Sequence, residues 1–390
     1  MIGRRLAVHL SALLVGAAVV RVAVVPAEVC PPVTASQVRQ SLDAAVGWLE
    51  RGVQPDGRYL YGYDRNSGVV STDYNEVRHS GVVVVLYQAY AAMGSIDALA
   101  AADSGLDRAL RDLLYEDDWI AWAPPGEATS GGNALLLAGL AIRRAATGDR
   151  GYDDVMRGIA RFLTVLQFPD GSVSAKWLEG SGPIDATSLY STGETAWALA
   201  LVDREFRGEG WGEAAALTID YMVADRDRVE GRFSRLPDHW AAHALAELRP
   251  ELLTDERVDY ARRLAGYFSI RLRFESQRLG TGVNLLMRWY PGTPAGVGTA
   301  GEGMGALHLL ASREPRLADL LEGIDDRIVC TAGLMVNRQV TADEAALGAH
   351  PALEEGAWFY RGYTQMDDQQ HTITSLIDAL TVLDALEATP

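Results

Sequence analysis

The stretch that decides the fold is ALLLAGLAI (134–142), then a break holding Thr147-Gly148-Asp149, then VMRGIARFLTVL (155–166). The first segment is apolar on every side, so a helix there has to be buried all round. The second puts Val155, Ile159, Phe162, Leu163 and Leu166 at helical spacing on one face and leaves the other face wet. A dry helix joined by a short turn to a half-wet one is the unit of this chain. One-faced patterns recur at Val38, Leu42, Ala45, Val46 and Leu49, at Val258, Ala261, Leu264, Ala265 and Phe268, and at Leu317, Leu320, Leu321, Ile324 and Ile328, with weaker versions over 106–114 and 214–221. Dry runs recur over 82–86, 196–202, 240–246, 304–311 and 373–383.

Starts of the dry helices fall near 76, 133, 194, 239, 302 and 372, a longer period than tetratricopeptide, ankyrin or HEAT repeats have. Six alternations of this kind need an inner and an outer ring. The expected fold is therefore an all-α (α/α)6 toroid over residues 28–390, in preference to an open solenoid. Dry-to-wet turns are short (Met93-Gly94-Ser95, Thr147-Gly148-Asp149, Arg207-Gly208-Glu209-Gly210), whereas wet-to-dry loops are long and aromatic. Loops beyond about 12 residues in a compact domain are usually functional, so this face is where a site is expected. It carries Tyr59, Tyr61, Tyr63, Tyr74, Trp119, Trp122, Trp177, Tyr190, Trp289, Tyr290, Trp358, Tyr360 and Tyr363. Tyr59, Tyr61 and Tyr63 alternate like a strand and predict a β-hairpin turning at Asn66-Ser67-Gly68, with three rings forming a binding wall.

A formal charge of −17, with no Lys/Arg cluster flanked by aromatics, repels phosphate backbones and excludes nucleic acid as a partner. At the N-terminus, Arg4 and Arg5, an apolar run over 10–20 and Val25-Pro26-Ala27 read as a signal peptide over 1–27, and hence as secretion. Arg21 interrupts the run, and the rival reading is an uncleaved short anchor, the one route to a membrane that the sequence offers; a span wants about 18 continuous apolar residues. Glu28, just before Val29-Cys30, stands where a lipobox has small residues. Cys30 and Cys330 then lie in an oxidising compartment. Paired, they tie the start of the ring to its end, and chain entropy allows such a bridge about 5 kcal/mol. Two separate buried thiols are the alternative.

Arg157-Gly158, Phe162-Leu163, Gln167 and Asp170-Gly171-Ser172 together resemble the QW-type repeat of the terpenoid-cyclase-like toroids, with Val173 where the Trp would stand. Trp48-Leu49, Gln54 and Asp56-Gly57 resemble a second, degenerate copy. This resemblance implies a fold and no reaction. The type II cyclases carry an Asp-x-Asp-Asp acid, and Glu116-Asp117-Asp118 lacks its first Asp. Protein prenyltransferase β-subunits and lanthionine cyclases need Cys and His at zinc, and two distant cysteines do not supply that, so no metal and no cofactor is expected. The chain is also similar to the six-hairpin glycosidases and their related lyases and epimerases, which place aromatics and carboxylates on the long-loop face. That resemblance implies a glycan or other small-molecule substrate and, first, a glycoside hydrolase. A noncatalytic glycan-binding or cell-envelope scaffold, a uronic-acid lyase or epimerase, and a terpenoid-cyclase-like enzyme are the alternatives.

Parallel inner helices present six N-termini on that face, where their partial positive charge favours carboxylates and anionic groups. Near the starts stand Asp73, Glu76, Arg78 and His79; Asp185 and Glu194; Asp238 and His239; Glu302; and Asp367, Asp368 and His371. The candidate acids, bases or nucleophiles are Glu76, His79, Glu194, Asp238 and Asp367, since glycoside cleavage needs two carboxyl groups on facing elements. The candidate substrate contacts are Arg78, Tyr61, Tyr63, Tyr74, Asn75, Trp122, Trp177, Tyr190, Trp289 and His371. Each carboxylate has a rival reading as a helix cap, strongest for Asp238 and open for Glu302. Arg78 and His79 enter a buried helix, which is costly unless they are paired or face a cavity. Arg78 is expected on a substrate carboxylate, or else in an ion pair with Asp73 or Glu76. His243 and His308 are expected to be satisfied core histidines.

Overall fold

Thr34 and Gln37 close a reciprocal capping box that starts the first outer helix, and Asn75, Ser95, Asp238, Thr254 and Thr293 cap later helices through their side chains. The computed structural model describes residues 2–20, 28–188, 190–230, 237–279 and 291–388. Among them the outer helices are α1 (Ala35–Arg51), α3 (Ile96–Arg111), α5 (Asp153–Leu166), α7 (Trp211–Ala224), α9 (Asp255–Ser276) and α11 (Leu321–Val336). The inner helices are α2 (Glu76–Met93), α4 (Ser130–Thr147), α6 (Ser191–Glu205), α8 (His239–Glu247), α10 (Pro294–Arg313) and α12 (Met366–Ala388). Each inner helix packs on the next, and α12 packs on α2, so the ring closes. The fold is an (α/α)6 toroid.

Burial follows the two patterns. Every residue of α4 from Ser130 to Ala141 is buried, while α5 buries the stripe Met156, Ile159, Ala160, Phe162, Leu163 and Leu166. Four inner helices begin earlier than expected: α4 at 130 rather than 133, α6 at 191 rather than 194, α10 at 294 rather than 302, and α12 at 366 rather than 372. The large error in α10 has a physical cause. Gly296, Gly298, Gly301 and Gly303 read as loop, yet they let neighbours press against the helix. A Cβ on Gly298 would lie 2.7 Å from the His371 carbonyl carbon, and one on Gly301 2.0 Å from Ser375 Oγ. Glu302 is consequently a mid-helix residue and caps nothing.

The two QW-like stretches build the same joint. Gly57 (φ +84) and Gly171 (φ +89) turn the chain under the next outer helix, where a Cβ would meet Ser104 O of α3 at 2.5 Å and Leu217 O of α7 at 2.3 Å. Asp56 and Asp170 close the turns by accepting from Arg58 N (3.1 Å) and Ser172 N (3.0 Å). Gln167 donates to Ala214 O and Thr218 Oγ1 on α7.

On the plain face, α2 and α3 are joined by Gly94 and Ser95 alone. The opposite face carries three small antiparallel sheets. β1 (Gly62–Asp64) pairs with β2 (Val69–Val70) as the expected hairpin and also with β8 (Tyr363–Gln365), which fastens the first long loop to the last. β3 (Leu113–Tyr115) pairs with β4 (Ile120–Trp122), and β5 (Glu127–Thr129), β6 (Lys176–Leu178) and β7 (Gly182–Pro183) form the third sheet.

Cys30 is disulfide-bonded to Cys330 of α11, with Cα atoms 4.8 Å apart. The segment before α1 thus crosses two late outer helices: Val29 N donates to Ser276 O (3.2 Å), and Glu28 pairs with Arg273 (3.1 Å) and Arg327. The N-terminal helix, Ile2–Val19, is exposed where its side chains are described. No described helix is long and apolar enough to cross a membrane. Arg21 and Val25-Pro26-Ala27 lie outside the described residues.

Candidate active site

A cavity of about 420 Å³ opens at the N-terminal mouth of the ring and takes lining residues from all six inner helices and their approaches. Asn75 and Arg78 come from the start of α2, Leu135 from α4, Tyr190 and Glu194 from α6, His239 and Trp240 from α8, Gly296 and Thr299 from α10, and Asp367, Gln370 and His371 from α12. One outer helix contributes as well, through Arg271 of α9.

Glu194 stands in the first turn of α6 and is 5% exposed. Its carboxyl fills the space over Gly131, where a Cβ would lie 2.3 Å from Oε2. No hydrogen bond from a described residue stabilises its charge. Burial, then the negative charges of Asp238 and Asp367, push its pKa up to about 8 against the opposing His371. At neutral pH it is a protonated acid facing a cavity.

Glu302 is buried among three imidazoles. It accepts from His243 Nε2 (3.0 Å) and His371 Nδ1 (2.7 Å), and its Oε2 lies 3.9 Å from His239 Nε2. Burial alone would raise its pKa, but the charge of His371 and the hydrogen bonds from His243 and His371 hold it well below the usual carboxylate range. In return Glu302 raises His371 and His243 against their own burial. With Nδ1 anchored, His371 carries its Nε2 3.7 Å from Asp367 Oδ1. His239 is 1% exposed, burial drives its pKa well down, and neither ring nitrogen has a hydrogen-bond partner among the described residues. Its ring stands edge-on to His371, with centroids 4.9 Å apart.

Asp367 also pairs with Arg78 (3.6 Å), whose guanidinium donates to the Tyr61 hydroxyl. Asp368 accepts from Ala295 N (2.9 Å) and Gln365 N (3.2 Å), bracing α10 against α12, and burial raises it to about 7. Arg271 reaches inward over Gly296, where a Cβ would stand 2.6 Å from Nη2.

Glu194, Asp367, Arg78, Asn75, Tyr190 and His371 thus converge on the cavity. Other candidates stand elsewhere. Glu76 begins α2 beside Gly132 and is not among the cavity residues. His79 is buried with both nitrogens engaged, Nδ1 with the Tyr74 hydroxyl (2.6 Å) and Nε2 with Gly105 O (3.0 Å); burial lowers it to about 4. Asp238 caps α8 through Trp240 N and Ala241 N and pairs with buried Arg226 at 2.6 Å. Tyr59 and Tyr61 line a separate cavity with Tyr74, whereas Tyr63 is sealed against His350 and Phe359, so the three hairpin tyrosines form no common wall. Tyr74 and Trp122 pack on His79, and Trp177 packs on Trp119. Trp289 and Tyr290 lie outside the described residues. His243 and His308 are satisfied, the latter by Asp325 at 2.6 Å.

Two imidazoles and a carboxylate are also a donor set for a metal ion. His239, Glu302 and His371 bring one ligand atom each within 4.8 Å of the others, the one such group among the described residues. The 2.7 Å contact between Glu302 and His371 is a hydrogen bond, however, and a cation has to displace its proton.

No family model and no curated protein matches the chain. Solved structures of similar fold include cellobiose 2-epimerase from Spirochaeta thermophila (15% identity, TM-score 0.61, 90% of this chain and 97% of that one). They also include an unsaturated glucuronyl hydrolase specific for heparin (12%, TM-score 0.61, 89% and 98%) and a family 76 α-mannanase of Bacteroides thetaiotaomicron (10%, TM-score 0.58, 90% and 96%). All three are (α/α)6 toroid enzymes, and at these identities the likeness is one of fold.

Proposed function

We propose that this chain is a carbohydrate-active enzyme that hydrolyses a glycosidic bond in the cavity at the mouth of the ring. The observation that carries the reading is Glu194, a carboxyl kept protonated by burial, with no hydrogen bond from a described residue to stabilise its charge and an open side toward the cavity. A general acid for a glycosidic oxygen needs that protonation state at neutral pH. Asp367, across the cavity on α12 and held by Arg78, supplies the second carboxyl. Glu194 protonates the departing oxygen, Asp367 draws the proton from an attacking water or itself adds to the sugar, and His371 Nε2 relays protons beside Asp367. The hydrolases among the similar structures support the reading.

One observation favours a second reaction. His371, oriented by Glu302, and neutral His239 present two imidazoles together, which suits removal and return of a proton at a sugar carbon, and an epimerase is among the similar structures. Export is proposed too, supported by the N-terminal segment and the disulfide.

The test is turnover of a panel of neutral and acidic oligosaccharides, run in D2O. Release of new reducing ends, lost in Glu194→Gln and Asp367→Asn with the fold retained, is the expected result. Deuterium entering a carbon of an uncleaved sugar selects the epimerase reading, and binding without turnover sinks both.

A further inference from the structure

We propose that the sugar recognised in this cavity carries a carboxylate and that Arg271 clamps it, making the substrate unit a uronic acid. The inference rests on reading the cavity as a carbohydrate site and adds the class of sugar. Arg271 belongs to an outer helix, whose polar residues ordinarily face solvent. Instead its side chain passes over Gly296 and is largely removed from water, so that burial lowers its pKa. Leaving a guanidinium there without a counter-ion is costly.

No described residue supplies one. Arg271 makes no hydrogen bond or ion pair with the described residues, and the nearby carboxylate, Glu275, is already held by Arg278 (2.7 Å), Arg338 (2.7 Å) and Gly292 N (2.9 Å). The residues outside the described set include no Asp or Glu. Other charges around the cavity are balanced internally: Arg78 by Asp367, Glu302 by the imidazoles it raises, and Glu194 by its own proton. Among the described residues that line the cavity, Arg271 is therefore the one positive charge without a counter-ion, and a monoanion completes it. A carboxylate fits the planar fork of a guanidinium and carries that one charge; a phosphate ester brings nearly two. Tyr190 and Thr299, which line the same wall, offer a ring and a hydroxyl to the rest of the sugar.

Binding of the free sugars D-glucuronate, D-glucose and glucose 6-phosphate to the full chain, followed by ligand-observed NMR, tests this without turnover. Glucuronate is expected to bind roughly 10- to 100-fold more tightly than glucose, the range for a charge-assisted hydrogen-bonded pair. Added salt should narrow that preference, and Arg271→Gln should abolish it. Equal binding of glucuronate and glucose, preference for the phosphate ester, no binding of any sugar, or a preference that survives Arg271→Gln each overturns the proposal. If Arg271→Gln does not fold, the wild-type comparison decides alone. None of these outcomes depends on hydrolysis, so the acid role of Glu194 stands or falls separately.

Discussion

Replacing Glu194 by Gln keeps the shape of a neutral carboxyl and removes its ability to ionise. In the unfolded chain Glu194 titrates near 4.5, and in the folded protein burial and the charges of Asp238 and Asp367 raise it to about 8. Below pH 4.5 both states hold the proton and the residue has no pH-dependent effect. Between the two values the unfolded state releases its proton while the folded state keeps it, so stability falls as pH rises, by about 1.4 kcal/mol per pH unit. By pH 7 the accumulated penalty is about 3 kcal/mol, and above about 8 it stops growing. Glu194→Gln is therefore expected to be more stable than wild type at pH 7, with the advantage shrinking toward zero near pH 4.5. With an unfolding entropy of roughly 2 cal/mol/K per residue, the gain in Tm at pH 7 is about 4 °C. Differential scanning calorimetry of both proteins at pH 5, 6, 7 and 8 measures it. A Tm difference that does not change with pH, or a variant less stable at pH 7, refutes the raised pKa and the acid role built on it.

Three further outcomes follow from the same geometry. Asp238→Ala removes a cap and the 2.6 Å ion-pair partner of buried Arg226, and denaturant unfolding should show a loss of about 3–5 kcal/mol; because Asp238 also raises Glu194, the alkaline limb of activity in the folded fraction should move below pH 8. Glu302→Gln withdraws the charge that raises His371, so the His371 pKa read by NMR should fall, and kcat should drop about 100-fold with KM little changed, within the range for a positioned acid or base. Cys330→Ser opens the loop closed by the disulfide and should lower stability by about 5 kcal/mol, measured by chemical denaturation under oxidising conditions, with the cavity residues unaffected.

The toroid is legible in the sequence because burial acts on whole helices. All-round apolar runs such as 134–142 and one-sided ones such as 155–166 differ in every turn, and their alternation survives local exceptions. Helix starts are harder to read where tertiary contact overrides local character. The glycines of α10 look like loop until α12 is seen pressing on them, and 366–372 is polar yet largely buried. Glu194, Asp367 and His371 were visible because helix starts on one face collect polar residues. Glu302 reads in the sequence as a helix-start residue or a cap, because the glycines of α10 put the apparent start eight residues late. Arg271 gave no signal, for an arginine on a one-faced helix is indistinguishable in sequence from one that faces solvent. The partners of His79 are equally silent, because Gly105 O belongs to the neighbouring helix α3.

The most direct test of the central claim, that Glu194 donates the proton to the departing sugar oxygen, is the leaving-group dependence of Glu194→Gln. On a glycoside with a dinitrophenolate leaving group, which departs without protonation, the variant should keep most of the wild-type rate. On the matched alkyl glycoside it should lose 100-fold or more, about the share supplied by a positioned general acid. Equal losses on both substrates, or no loss on the alkyl glycoside, contradict the account.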